Sequence, residues 1–153
     1  MFTWLYLPLG AGVLALIVAA YKANWVNKQN PGSNRLREIG EAIRSGAMAF
    51  LVREYKILVL IVVAVTILLV LGESGYGKFI ALSFLVGALF SALAGLFGMR
   101  TATKANTRTA NGARFGITKA LMVAFNGGSV MGLSVVGLGI LGLTGLLLIF
   151  IAI

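Results

Sequence analysis

The sequence predicts an all-α membrane protein: four transmembrane helices, two of them extended into the cytoplasm, forming part of a larger helical bundle. Three observations carry this. The chain of 153 residues is 59% hydrophobic and only 11% charged. It contains apolar runs long enough to cross a hydrocarbon layer about 30 Å thick. Twelve of its thirteen lysines and arginines gather in two segments between those runs, and almost no polar sequence is left over for a separate folded module. The whole of 1–153 is therefore expected to be a single transmembrane unit, with spans near 4–21, 47–72, 79–99 and 120–153.

The first span, Trp4 to Tyr21, lacks the positive leading region and the small-residue cleavage site of a secretory signal, and so reads as retained. It leads into "YKANWVNKQNPGSNRLRE", where Pro31-Gly32 makes a turn and Ser33 or Asn34 can cap the next helix. That helix has no proline before Leu71. At 1.5 Å per residue it reaches roughly 50 Å, so about its first third stands outside the hydrocarbon. The turn of Arg53, Glu54 and Lys56 is expected to mark the interface.

"GESGYGK" from Gly72 to Lys78 is a short connection between antiparallel helices. The third span, Phe79 to Met99, continues into "RTATKANTRTANGAR", which has no glycine or proline until Asn111-Gly112. Arg100, Lys104 and Arg108 then form one stripe along a helix that leaves the membrane, and Asn111-Gly112 supplies its stop. The fourth apolar region, Ala120 to Ile153, is longer than one span needs. Its "FNGGS" at Phe125 to Ser129 is either a local unwinding or a small-residue face within one tilted helix.

Twelve of the thirteen cations fall on one side of such a topology, Lys78 alone lying opposite. Positive residues near span ends stay in the cytoplasm, which places both basic segments there and both chain ends outside. On this reading the basic segment after Arg100 is a water-exposed helix end that fixes orientation and meets anionic headgroups. Phosphate gripping is the competing reading, but the glycine-rich strand-to-helix loop that goes with it is missing. The segment also has no aromatic side chains on which nucleic-acid bases would stack.

Chemistry is thin. Cysteine and histidine are both absent, which removes disulfides, thiol nucleophiles, imidazole bases and the usual zinc sites. The acids are Glu38, Glu41, Glu54 and Glu73, none in mid-membrane where a cation-carrying span needs one. Glu38 and Glu41 have the spacing to share a metal, yet Arg37 and Arg44 are placed to pair with Glu41. No residue is assigned a catalytic, substrate-binding or metal role.

Small residues say more. Gly87, Ser91 and Gly95 repeat along the third span; Ala42, Gly46 and Ala49 line part of the second. Gly128 and Gly132 begin a run that includes Gly137, Gly139, Gly142 and Gly145. Such stripes let helix backbones approach in lipid. Asn126 is expected to bond between helices, and Thr66 and Ser134 to bond their own backbones. The sequence ends in "LLLIFIAI" with no interfacial residue after Phe150, which leads to the expectation of a truncated chain whose further helices pack on these faces.

Three stretches carry a resemblance: "EIGEAIRSGAMAFLVREYKIL" (Glu38 to Leu58), "GMRTATKANTRTANGAR" (Gly98 to Arg114) and "FNGGSVMGLSVVGLGILGL" (Phe125 to Leu143). In order and together they resemble the membrane-integral inorganic pyrophosphatases, pyrophosphate-energised proton or sodium pumps. The resemblance implies the N-terminal scaffold helices of a homodimeric pump of the cell (inner) membrane that hydrolyses magnesium pyrophosphate at its cytoplasmic face. It also implies that Mg2+ is held by aspartate-rich motifs on later helices. This chain has no aspartate, so it is expected to bind neither Mg2+ nor pyrophosphate by itself and to be inactive alone. Two other readings stand beside it: a self-contained, non-enzymatic glycine-rich subunit that oligomerises, and a small multidrug exporter. Both a rotor-ring subunit and such an exporter need a membrane carboxylate that is lacking here.

Overall fold

The computed structural model describes residues 3–72, Gly75 and 77–152; Glu73 and most of the loop around it lie outside the described residues. A single 3-10 turn, Thr3–Leu5, precedes four long helices: α1 (Tyr6–Lys28), α2 (Asn34–Gly72), α3 (Gly77–Ala113) and α4 (Ile117–Ala152). All four are long and apolar enough to cross a membrane. The chain is a multi-pass integral membrane protein.

Pro8 sits in the first turn of α1, where its missing N–H has no helical acceptor to lose. Helix α1 runs two turns past Tyr21 because "KANWVNK" contains no breaker, and Val26 in that extension is fully buried. Pro31 and Gly32, the latter at φ +93°, then reverse the chain. Ser33 caps α2 as expected: its Oγ accepts from the N–H of Leu36 at 3.4 Å.

The end of α3 departs from expectation. Asn111-Gly112 does not stop the helix, which continues to Ala113; the left-handed residue is Gly116, at φ +124°. Gly112 stays helical because it is a packing position. A Cβ there would lie 3.4 Å from the Ala120 backbone of α4. The fourth region is one continuous helix, and "FNGGS" lies within it without a break.

The helices do not close into a four-cornered bundle. They form a row in the order α1, α4, α3, α2, with α4 inserted between the first helix and the third. Helices α1 and α2, neighbours in sequence, barely touch, and α1 meets α3 only over a short stretch. Small residues set the close approaches. Gly12 and Gly137 cross α1 over α4 so tightly that a Cβ on either would come 3.0–3.1 Å from the other's carbonyl oxygen. On the α3–α4 seam Gly127 faces Ala105, Gly98 faces Met131 and Gly142 faces Phe90. Phe79 and Phe150 close this seam edge to face, ring centres 5.6 Å apart.

Candidate functional site: a polar seam at the basic end

Where α3 leaves its apolar stretch, "RTATKANTRTANGA" carries only short side chains besides its cations. Short side chains permit close packing, and the segment is enclosed by neighbours. Thr101, Thr103, Thr107 and Asn111 are all buried, with Thr103 at 5% exposure. The expectation of a water-exposed helix end is therefore corrected: only part of its circumference faces outward, including Arg100 and Arg114.

Arg108 organises the seam. Its Nε donates to the carbonyl of Gln29 at 3.1 Å, one terminal nitrogen to that of Asn27 at 3.2 Å, and the other to Lys104 of its own helix at 2.8 Å. The carbonyls at a helix C-terminus lack intrahelical partners and carry partial negative charge, so a forked cation is a strong cap for α1. Burial lowers the guanidinium pKa from its ordinary value, although an arginine stays charged under any condition a protein survives. One turn on, Asn111 Nδ2 donates to the carbonyl of Asn30 at 3.2 Å. The Asn30 side chain accepts from Gly32 N–H at 2.9 Å, which fixes the loop. Across the seam Gly40 of α2 rests on the Thr107 methyl, leaving no room for a Cβ.

Two further links bind the row below. Lys22 on α1 donates to Asn126 Oδ1 on α4 at 2.6 Å, and Asn126 Nδ2 returns to the Met122 carbonyl at 2.8 Å. This is the interhelical role expected of Asn126, with a lysine as its partner. The Tyr55 hydroxyl of α2 donates to the carbonyl of Ala92 on α3. Thr66 and Ser134 each bond the carbonyl four residues back, both at 2.7 Å.

Among the described residues no acid bonds to this seam, although Glu41 lines a cleft beside it with Thr107 and Arg108. Glu38 pairs with Arg35 at 2.9 Å and Glu41 with Arg44 at 3.8 Å; all four side chains are substantially exposed. The Arg37 partnership expected for Glu41 is not formed. Among the described residues no three carboxylates converge, and exposed carboxylates already facing arginines do not suit a magnesium ion, which takes oxygen ligands in near-octahedral order. Of the seam's cations, Arg108 is spent on backbone carbonyls. What the described residues of the seam do is clamp helices together.

Sequence reasoning missed Arg108 and Asn111 as clamp residues. The usable signal was the run of alanine and threonine around them, which marks a helix face meant to be approached. Of the small-residue stripes, Gly46, Gly87, Gly128, Gly132 and Gly139 have open space where a Cβ would stand, and Ala42 is exposed. Gly87, Ser91, Gly139 and Gly142 line a groove of about 280 Å³ between α3 and α4.

Comparison with known proteins places this architecture. The profile described as "Inorganic H+ pyrophosphatase" matches residues 13–152. The chain is 45% identical over 144 residues to the "K(+)-insensitive pyrophosphate-energized proton pump 2" of Moorella thermoacetica, covering 94% of this chain and 21% of that protein. It is 43% identical over 140 residues to the "K(+)-stimulated pyrophosphate-energized sodium pump" of Thermotoga maritima, covering 90% and 19%. Against the "K(+)-insensitive pyrophosphate-energized proton pump" of Methanosarcina mazei it is 42% identical over 142 residues, covering 92% and 21%. The chain spans about a fifth of the length of these relatives. With the profile running through all four helices, the chain belongs to the inorganic H+ pyrophosphatase family.

Proposed function

We infer that this chain provides scaffold helices for an ion pump that couples pyrophosphate hydrolysis to H+ or Na+ translocation. The observation that carries the reading is the match to pyrophosphate-energised pumps along nearly the whole chain, in a sequence whose four acids include no aspartate. Hydrolysis of a magnesium-bound diphosphate needs carboxylates that hold metal and orient water. Those groups, and the Mg2+ itself, belong to the remaining four-fifths of such a pump. What this fifth contributes is a rigid row of helices, pinned at its basic end by Arg108 and Asn111. Its small-residue faces receive the other helices, and the groove at Gly87, Ser91 and Gly139 is shaped for such a backbone.

On this reading the basic end is cytoplasmic, both ends of the chain lie outside, and the assembled pump is a homodimer in the cell membrane. Relatives of comparable identity pump either ion, so the choice between H+ and Na+ is set by residues other than the ones shared here.

A chimera tests the reading. This chain replaces the corresponding fifth of the Moorella proton pump, and pyrophosphate hydrolysis and proton uptake are followed in proteoliposomes. The expected result is a chimera that hydrolyses and pumps, while the 153-residue chain alone does neither. Hydrolysis by the chain alone sinks the scaffold role. A dead chimera, together with a discrete oligomer formed by the isolated chain, favours the self-contained glycine-rich subunit instead.

A further inference from the structure

Beyond the clamp, the groove between α2 and α3 has a divided character. Arg44, Arg100 and Lys104 stand at one end; Met48, Leu51, Val52 and Leu96 line its length, and Tyr55 closes the other end. Its volume is about 510 Å³. The division follows from register. Arg44, Met48, Leu51 and Tyr55 are spaced 4, 3 and 4 along one face of α2, while Leu96, Arg100 and Lys104 recur every four residues on α3. Because the helices are antiparallel, both cationic ends meet at the same level. From Arg44 to Tyr55 the groove is about 16 Å long, close to half the thickness of a hydrocarbon core. Arg100, at the end of the third apolar span, then marks the headgroup level, and the exposed Arg53 and Lys56 reach up to it along their stems.

No acid lines this groove. Glu41, 3.8 Å from Arg44 and largely exposed, lines the adjoining cleft with Arg37, Arg44 and Lys104. Arg100 and Lys104 make no side-chain hydrogen bond or ion pair among the described residues; Lys104 engages Arg108 only through its carbonyl. The Tyr55 hydroxyl is already committed to Ala92, so the far end offers hydrocarbon contact and no free donor.

We propose that this groove is a binding site for one anionic phospholipid, its phosphate among Arg44, Arg100 and Lys104 and an acyl chain along Met48, Leu51, Val52 and Leu96. Three cations with one counter-charge between them call for an anion. The apolar length beneath them has no use for a free phosphate ion, whereas an acyl chain covers it. A further apolar protein helix laid there would bury the cations without partners, which is strongly unfavourable. The site is independent of the pump reading, since it rests on these two helices alone.

The test uses the chain with all coding sequence that adjoins it, purified from a bilayer of mixed phosphatidylglycerol and phosphatidylcholine, with retained lipid identified by native mass spectrometry. Phosphatidylglycerol is expected to be retained in preference. Arg100→Gln combined with Lys104→Gln lowers that retention by about tenfold or more, two surface cations being worth that much to an acidic headgroup. Arg53→Gln with Lys56→Gln, exposed cations outside the groove, leaves it unchanged. Val52→Trp fills the acyl path from an exposed position and lowers retention without touching a charge. Equal loss in the Arg53/Lys56 pair, absence of headgroup preference, or displacement of the lipid by inorganic phosphate alone would overturn the proposal.

Discussion

The basic end of α3 and the apolar stretch of α2 reverse the usual relation between polarity and burial. Thr103 and Thr107 are 5% and 8% exposed, while Leu60 and Leu71 are 70% and 79% exposed. In water this would be an inverted protein. In a bilayer the leucines lose nothing, because acyl chains solvate them as well as protein does, and helix association relies on close backbone approach and hydrogen bonds. Side-chain size, not hydrophobicity, separates the two regions: alanine, threonine and glycine where helices meet, leucine, isoleucine and valine where lipid does. In α2 beyond Leu51 only the narrow strip of Tyr55, Val62, Val65, Thr66 and Leu69 is partly covered.

Substitutions can break that contrast, and their effects should fall in a definite order when unfolding is followed by detergent titration. Arg108→Ala should be the costliest, about 3 kcal/mol, since it strips charged donors from the carbonyls of Asn27 and Gln29. Arg108→Lys should rescue less than half of this, as a point charge cannot reproduce the fork. Gly40→Leu should follow at about 2 kcal/mol: overpacking against Thr107 costs roughly 3, and the better helix propensity of leucine returns about 1. Asn111→Ala should cost about 1 kcal/mol, one neutral hydrogen bond to Asn30. Leu60→Ala and Leu68→Ala should each shift stability by less than about 0.5 kcal/mol, where a buried leucine in a soluble core would lose several. If the two leucines prove as costly as Arg108, the leucines face protein and the contrast dissolves.

The same contrast explains what the sequence could disclose. Helix number, the Ser33 cap, the Pro31-Gly32 reversal and the self-bonding of Thr66 and Ser134 depend on local chemistry, and each is found where that chemistry puts it. The end of α3 is governed by tertiary contact. Asn111 and Gly112 look like a stop, yet Asn111 is drawn to Asn30 and Gly112 to Ala120, and the helix passes through both. Burial of the basic segment was hidden for a related reason: a run rich in arginine and threonine signals water until its carbonyl partners, nearly eighty residues away in the chain, are known. Glycine spacing likewise marks faces fit for packing without saying which are filled; Gly137 is covered by Leu16 and Gly12, Gly139 by nothing.

Placing α4 between α1 and α3 has a consequence for biosynthesis. Lys22 must wait for Asn126, 104 positions later, so at translation speeds of about 5–20 residues per second the first helix stays without its principal neighbour for roughly 5–20 s. During that interval the hairpin of α2 and α3 can already form, leaving the oldest helix to be the last of the four to dock. An early ribosomal stall would thus strand α1 alone in lipid.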